Sequence, residues 1–226
     1  MSKLSISKLV KKSSILYSIA KICLYLYDTL IPVKGRDNCI IMHNLGGGVK
    51  KSVIGDNNRI EICKGTVSKG LKIRIRGNNN TLFIGENVYI GPNCSFWLEG
   101  NNNKISIGAG TTFTTRCHLN AQEHDTCIAI GDDCMFSNSI IVRTSDSHPI
   151  YIGENRVNFA KSVTIGNHVW IAPSSTIMKG VSIGNNTIIG SHSLVTKDIP
   201  SNTLAVGMPA KVVKENVHWT RENIIK

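Results

Sequence analysis

A run of hexads constrains this chain more than any other feature. From Ile165 to Val195 an aliphatic residue stands at every sixth position: Ile165, Ile171, Ile177, Ile183, Ile189 and Val195. Glycine follows at Gly166, Gly184 and Gly190, and alanine at Ala172. A small or β-branched residue falls four places on, at Val169, Ser175, Val181, Thr187 and Ser193. Residues six apart lie on opposite faces of a helix, whereas an even period keeps them on one face of an extended chain. The pattern predicts an all-β chain whose short strands stack as a parallel solenoid.

The repeat extends upstream with a longer step. Ile84-Gly85, Ile107-Gly108, Ile130-Gly131 and Ile165-Gly166 mark matching points on successive coils, with Ile54-Gly55 as a provisional member. The steps from 84 to 107 and from 107 to 130 are 23, against 18 from 165 to 183, so the early coils carry five extra residues each. Those extras are the tracts Gly55-Asp56-Asn57-Asn58, Gly77-Asn78-Asn79-Asn80 and Gly100-Asn101-Asn102-Asn103. Gly and Asn tolerate positive φ and suit corners, where stacked asparagines can hydrogen-bond as a ladder. The regular coils are broken once, from about 143 to 161. A long loop projecting from a rigid stack is where function is sought.

A length of 226 residues with 41% hydrophobic content fits one domain with a core. We divide it into an N-terminal helical segment (1–35), a β-helix domain (36–217) and a C-terminal tail (218–226). The seven cysteines are odd in number and form no C-x-x-C pair, which points to small buried thiols and a reducing, cytoplasmic compartment. The formal charge of +11 asks for an anionic partner. Nucleic acid is not expected, since no zinc-finger spacing or RNA-binding signature occurs. Residues 1–31 thread Lys3, Lys8, Lys11, Lys12 and Lys21 through aliphatic positions without reaching membrane-spanning length. Two readings stay open for them: a helix covering the exposed strand edge of the solenoid, and peripheral contact with the inner face of the cell membrane.

Three strings complete the sequence reading. They are Ser145-Asp146-Ser147-His148-Pro149-Ile150-Tyr151 with Ala160-Lys161; Ile165-Gly166-Asn167-His168-Val169-Trp170-Ile171; and Val195-Thr196-Lys197-Asp198-Ile199-Pro200 followed by Gly207-Met208-Pro209-Ala210-Lys211-Val212-Val213. In this order they resemble the hexapeptide-repeat acyltransferases, and most of all the capsule, O-antigen and galactoside-type sugar O-acetyltransferases. The resemblance implies a left-handed parallel β-helix, a homotrimer with sites between neighbouring subunits, and acetyl-CoA as co-substrate with no metal. A sugar or polysaccharide hydroxyl is the implied acceptor, with a drug hydroxyl, as in the antibiotic-modifying relatives, as the alternative. A γ-type carbonic anhydrase is set aside, because no two histidines stand five residues apart.

On that resemblance His148 is the general base. An imidazole can take the acceptor proton and return one to the leaving thiolate. Asp146, two residues earlier, is a candidate to orient the ring, with Glu123 as a second. Trp170 lines the active-site groove. Ala172, Ser191 and Thr196 flank the pantetheine arm, and Lys197, Lys211 and Lys214 meet the phosphates. His118, Asn120 and Tyr151 are expected around the acceptor, while His124, His168 and His192 are expected to face solvent. Pro173 departs from the family, since relatives can use the backbone N–H at that position as oxyanion donor and proline has none.

Overall fold

The computed structural model describes residues 33–43, 48–222 and 224, so the helical segment expected at 1–31 lies outside the described residues. Those described form strands, turns and bends, with no helix among them. Three parallel sheets make the sides of a prism, and each turn of the chain gives one strand to each sheet. The first sheet has eight strands, from Val33–Lys34 through Val49–Ile54, Leu71–Arg76, Ser95–Glu99, His118–Gln122 and Ile141–Arg143 to Leu194–Val195. The second has seven, from Cys39–Met42 to Ser182–Ile183. The third begins at Val67–Ser68 and ends with Thr203–Gly207, against which Ala210–Glu215 turns back antiparallel.

The hexads work as the period requires. Ile165, Ile171, Ile177, Ile183, Ile189 and Val195 are buried, and so are the residues four places on, from Val169 to Ser193. The register pairs Ile62, Ile84, Ile107, Ile130, Ile165 and Ile183 in one inward column of the second sheet. Ile54-Gly55 does not belong to it. Ile54 ends a strand of the first sheet, pairing with Arg76, and Gly55 opens a different corner. In the wider coils phenylalanine joins the aliphatic interior: Phe113 stacks on Phe136 at 4.6 Å and meets Phe96 edge-on at 5.5 Å. The six described cysteines are all free, with Cys94, Cys117 and Cys134 buried, and burial pushes the Cys134 thiol up to about 11.

The Gly-Asn tracts form the predicted ladder at the corner between the first and second sheets. Asn57, Asn79 and Asn102 adopt φ of 55°, 57° and 59°. Asn58, Asn80 and Asn103 turn inward and are buried. Asn80 Nδ2 donates to Asn58 Oδ1 (3.1 Å) and to the Gly100 carbonyl (2.9 Å), while its Oδ1 accepts the Asn103 backbone N–H at 3.0 Å. The glycines are needed for approach as well as for φ: a Cβ on Gly77 would lie 2.0 Å from the Gly100 oxygen. Replacing Asn80 by Ala strands buried donors and acceptors on two neighbouring coils. We expect Asn80→Ala to cost about 3 kcal/mol, read as a lower urea midpoint with an unchanged slope.

Candidate active site

The insertion leaves the solenoid at the same corner, two coils above the last asparagine rung. The next strand of the second sheet is reached only after 35 residues, where Ile128 pairs with Val163. Within the loop, Tyr151–Ile152 and Asn155–Arg156 make a small antiparallel hairpin. Its base is held by polar side chains. Asp146 Oδ2 accepts from Lys179 Nζ (2.5 Å) and from Asn158 Nδ2 (2.9 Å), and Asn158 also donates to the His148 carbonyl at 2.8 Å. The Lys179 ammonium and Asn158 hold the Asp146 carboxyl below its usual range despite partial burial. Burial pushes Glu123 upward, but bonds from Ser145 Oγ (2.7 Å) and Arg156 (2.7 Å) outweigh it, and the net shift is down. His148 stands exposed on the loop.

The orienting contact expected from Asp146 is therefore not made. The ammonium of Lys179, reaching from the next coil, and the Asn158 amide share the Asp146 Oδ2 instead. Glu123 is likewise engaged at the loop base. Both carboxylates fix the loop that carries His148. Tyr151 is exposed in the hairpin, with no hydrogen bond or ring contact to His118 or Asn120.

Beside the loop base, the outward residues of the first sheet form two columns. One runs Lys72, Ser95, His118, Ile141, and the other runs Arg74, Trp97, Asn120, Arg143. His118 Nδ1 lies 2.8 Å from Ser95 Oγ, and the ring meets Trp97 edge-on at 4.7 Å. Burial lowers the His118 pKa, which favours a neutral ring. Asn120 is 8% exposed, and its buried Oδ1 has no hydrogen-bond partner. A buried acceptor left open is costly in a native protein and marks a place where a ligand donor fits. Gln122 links this face to the loop, accepting from Ser147 Oγ at 2.7 Å, while Arg143 holds the Ser145 carbonyl and Ser147 Oγ.

Trp170 lies elsewhere, on the third sheet. That sheet is the prism face opposite the corner from which the loop projects, so one protomer does not bring Trp170 to His148. Its indole N–H points to Ser137 Oγ at 3.4 Å. Outward along the strands, Trp170 pairs with Ile188, then Leu204, then Lys214. Three strand spacings make this apolar path about 14 Å long. Lys211 and Lys214 are exposed at that end, Ser191 is exposed at the corner after Ile188–Ile189, and Ala172 is buried beside Trp170; Thr196 and Lys197 are exposed elsewhere, at the corner that follows Leu194–Val195 of the first sheet. The N–H groups of Trp170, Ala172 and Ser174 are all used by the ladder, and Pro173 has none.

His168 does not face solvent as expected. The tail beyond the terminal hairpin runs back along the corner between the second and third sheets, and Trp219 stacks on His168 at 4.0 Å and 6°. His168 Nδ1 meets Asp133 Oδ2 (2.6 Å), and Arg221 bonds Asp133 Oδ1 (2.7 Å) and the carbonyls of Gly110 and Cys134. Trp219, 6.1 Å from Trp170, thus packs beside the candidate groove.

Comparison with known proteins agrees with this geometry. The bacterial transferase hexapeptide model (six repeats) matches residues 162–197. A polysialic acid O-acetyltransferase from Neisseria meningitidis is 39% identical over 183 residues, 79% of this chain and 83% of that protein. The chain belongs to the hexapeptide-repeat O-acetyltransferases. A second such enzyme, from Escherichia coli O1:K1, is 40% identical over 93 residues, which span 40% of this chain but 30% of that protein. The crystal structure of the polysialic acid-specific acetyltransferase NeuO superposes with a TM-score of 0.80 at 32% identity, covering 86% of this chain and 90% of that one. The fold is the left-handed parallel β-helix of the family.

For this O-acetyltransferase the sequence reading missed Trp97, Arg74, Ser95 and Arg143 beside His118 and Asn120 on the outer face of the first sheet, and Lys179 and Asn158 at the loop base. An alternation count across Leu71–Arg76, Ser95–Glu99 and Ile141–Arg143 exposes the first group as outward positions; the second needs the three-dimensional stack. Because the Asp146 pKa is lowered on folding, its contribution to stability is present above the unfolded value of about 4 and fades as pH falls through the folded one. Asp146→Asn should remove that acid-dependent component, measured as a flatter stability–pH curve below about pH 5, and should speed proteolytic nicking between 146 and 160.

Proposed function

We propose that the protein O-acetylates a hydroxyl of an acidic capsule polysaccharide, with acetyl-CoA as donor and His148 as the base, as a homotrimer. The observation that carries this reading is the split of the site. His148, His118 and the unpartnered Asn120 oxygen occupy one side of the prism, while Trp170 and an apolar path ending in lysines occupy the opposite sheet. Two copies placed side by side complete a site that neither contains alone. The exposed apolar loop residues Ile150, Ile152 and Phe159 supply surface for such packing.

The third sheet suits the donor. Ile188 and Leu204 offer an apolar bed for a pantetheine arm, and Lys211 and Lys214 offer unburied cations for phosphates. Acetyl-CoA supplies an activated thioester carbonyl when bound. His148 accepts the proton of the sugar hydroxyl as its oxygen bonds to that carbon, and returns a proton to the departing sulfur. The developing oxyanion needs a side-chain donor here, because the nearby backbone amides are occupied. The Ser137 hydroxyl accepts the Trp170 indole and keeps its own proton to give. Both relatives named polysialic acid O-acetyltransferases act on glycans, which favours a sugar over a drug as acceptor. Residues 1–31, basic and amphipathic, fit a reading in which the enzyme works at the inner face of the membrane.

His148→Ala should lower turnover by about 10²–10⁴ while the trimer and CoA binding persist, checked by acetyl transfer to sialic acid polymers alongside light scattering and calorimetry. Full activity in that variant would overturn the assignment. Asn120→Ala should raise KM for the acceptor about tenfold or more with little change in the KM for acetyl-CoA, as for loss of one desolvated hydrogen bond.

A further inference from the structure

The outer face of the first sheet continues past His118 and Asn120 toward the N-terminal coils, and its charge is one-sided. On the strands Val49–Ile54, Leu71–Arg76 and Ser95–Glu99, the outward positions include Lys50, Lys72, Arg74 and Arg76. The one outward carboxylate on these strands, Glu99, is already engaged. Arg74 Nε lies 3.0 Å from its Oε1 and Gln122 Nε2 donates to its Oε2 at 2.7 Å. Lys50, Lys72 and Arg76 are exposed, and among the described residues none of them makes an ion pair. Arg74 lies over the Trp97 ring, with its guanidinium carbon 5.0 Å from the centroid.

The register sets Lys50 beside Lys72 on neighbouring strands, with Arg76 four residues along the strand from Lys72. Lys50, Lys72, Ser95 and His118 occupy one column, so Lys50 lies three strand spacings, about 14 Å, from His118. Lys50 and Lys72 one strand spacing apart, with Arg76 some four residues along the strand, make a rigid cluster of cations broad enough to meet more than one charge of an extended anionic chain. The Lys50–Lys72 column leads to His118, and the neighbouring column, through Arg74 and Trp97, leads to the Asn120 oxygen, which lacks a partner, and to Arg143 at the base of the His148 loop. We infer that this face is a track for several residues of an acidic polysaccharide, so that the acceptor is a polymer threaded along the prism and held by Lys50, Lys72 and Arg76 beyond the reacting residue. The inference rests on the acceptor reading above and adds to it where the rest of the chain lies.

The test compares size fractions of polysialic acid, from a trimer to long chains, with the double variant Lys72→Glu, Arg76→Glu. We expect the ratio of kcat/KM for long over short acceptors to fall about tenfold. In the unaltered enzyme that ratio should shrink as salt rises, and in the variant it should respond less. The milder pair Lys72→Gln, Arg76→Gln should give an intermediate ratio. Lys104→Glu, on the outer side of the second sheet, changes net charge without touching the track and should leave the ratio as it was. An unchanged ratio in the double variant, or an equal fall in Lys104→Glu, overturns the track. If the protein fails to acetylate these polymers but binds labelled long chains through Lys72 and Arg76, the acceptor reading fails and the track stands. If it acetylates them with no length dependence, the track fails and the acceptor reading stands.

Discussion

The structure depends on each coil handing its corner hydrogen bonds to the next. A prism this narrow buries its apolar columns only if every coil lies flush on its neighbour, and flush stacking brings polar corner atoms together out of water. The chain answers with left-handed residues at the corners and with side-chain amides that replace solvent. Asn58, Asn80 and Asn103 each join coils above and below. Corner glycines admit the neighbouring carbonyl where any Cβ would collide. Without that relay the stacked Ile and Val would be strands with open edges.

The same rigidity makes the catalytic reading tractable. His148 sits on a loop, and loops move, yet this one is fastened by Asp146 to Lys179 and by Glu123 to Ser145 and Arg156. The carboxylates that a triad analogy would spend on the imidazole are spent on the backbone that carries it. Orientation of the ring then falls to whatever packs against it in the assembled site. Donor and acceptor groups lie on different faces of one protomer, so association is part of the chemistry in this reading.

What the sequence made legible follows from periodicity. An even repeat with aliphatic and small residues at fixed offsets left no room for a helix, and its one long interruption pointed to the loop. The asparagine tracts announced their ladder because their spacing matched the coil. Ile54-Gly55 misled because the dipeptide occurs at two different corners, which only strand register separates. The His168 environment was hidden for another reason: its stacking partner Trp219 lies some fifty residues away, in a segment without repeats. The Arg74–Trp97–Asn120–Arg143 column was hidden because each member is an ordinary outward residue until the stack aligns them.

The returning tail has a consequence of its own. Arg221 reaches the carbonyl of Gly110 and Thr112 Oγ1, and on the way the tail bonds Asn202, Asn186 and His168. Solenoids are coupled mainly between nearest neighbours and so can fray from an end. Here residues 217–221 act as a clasp over five successive turns, tying the C-terminal coils to turns formed much earlier in the chain. A chain cut before Val217 would lose this clasp, and its C-terminal coils would come undone first.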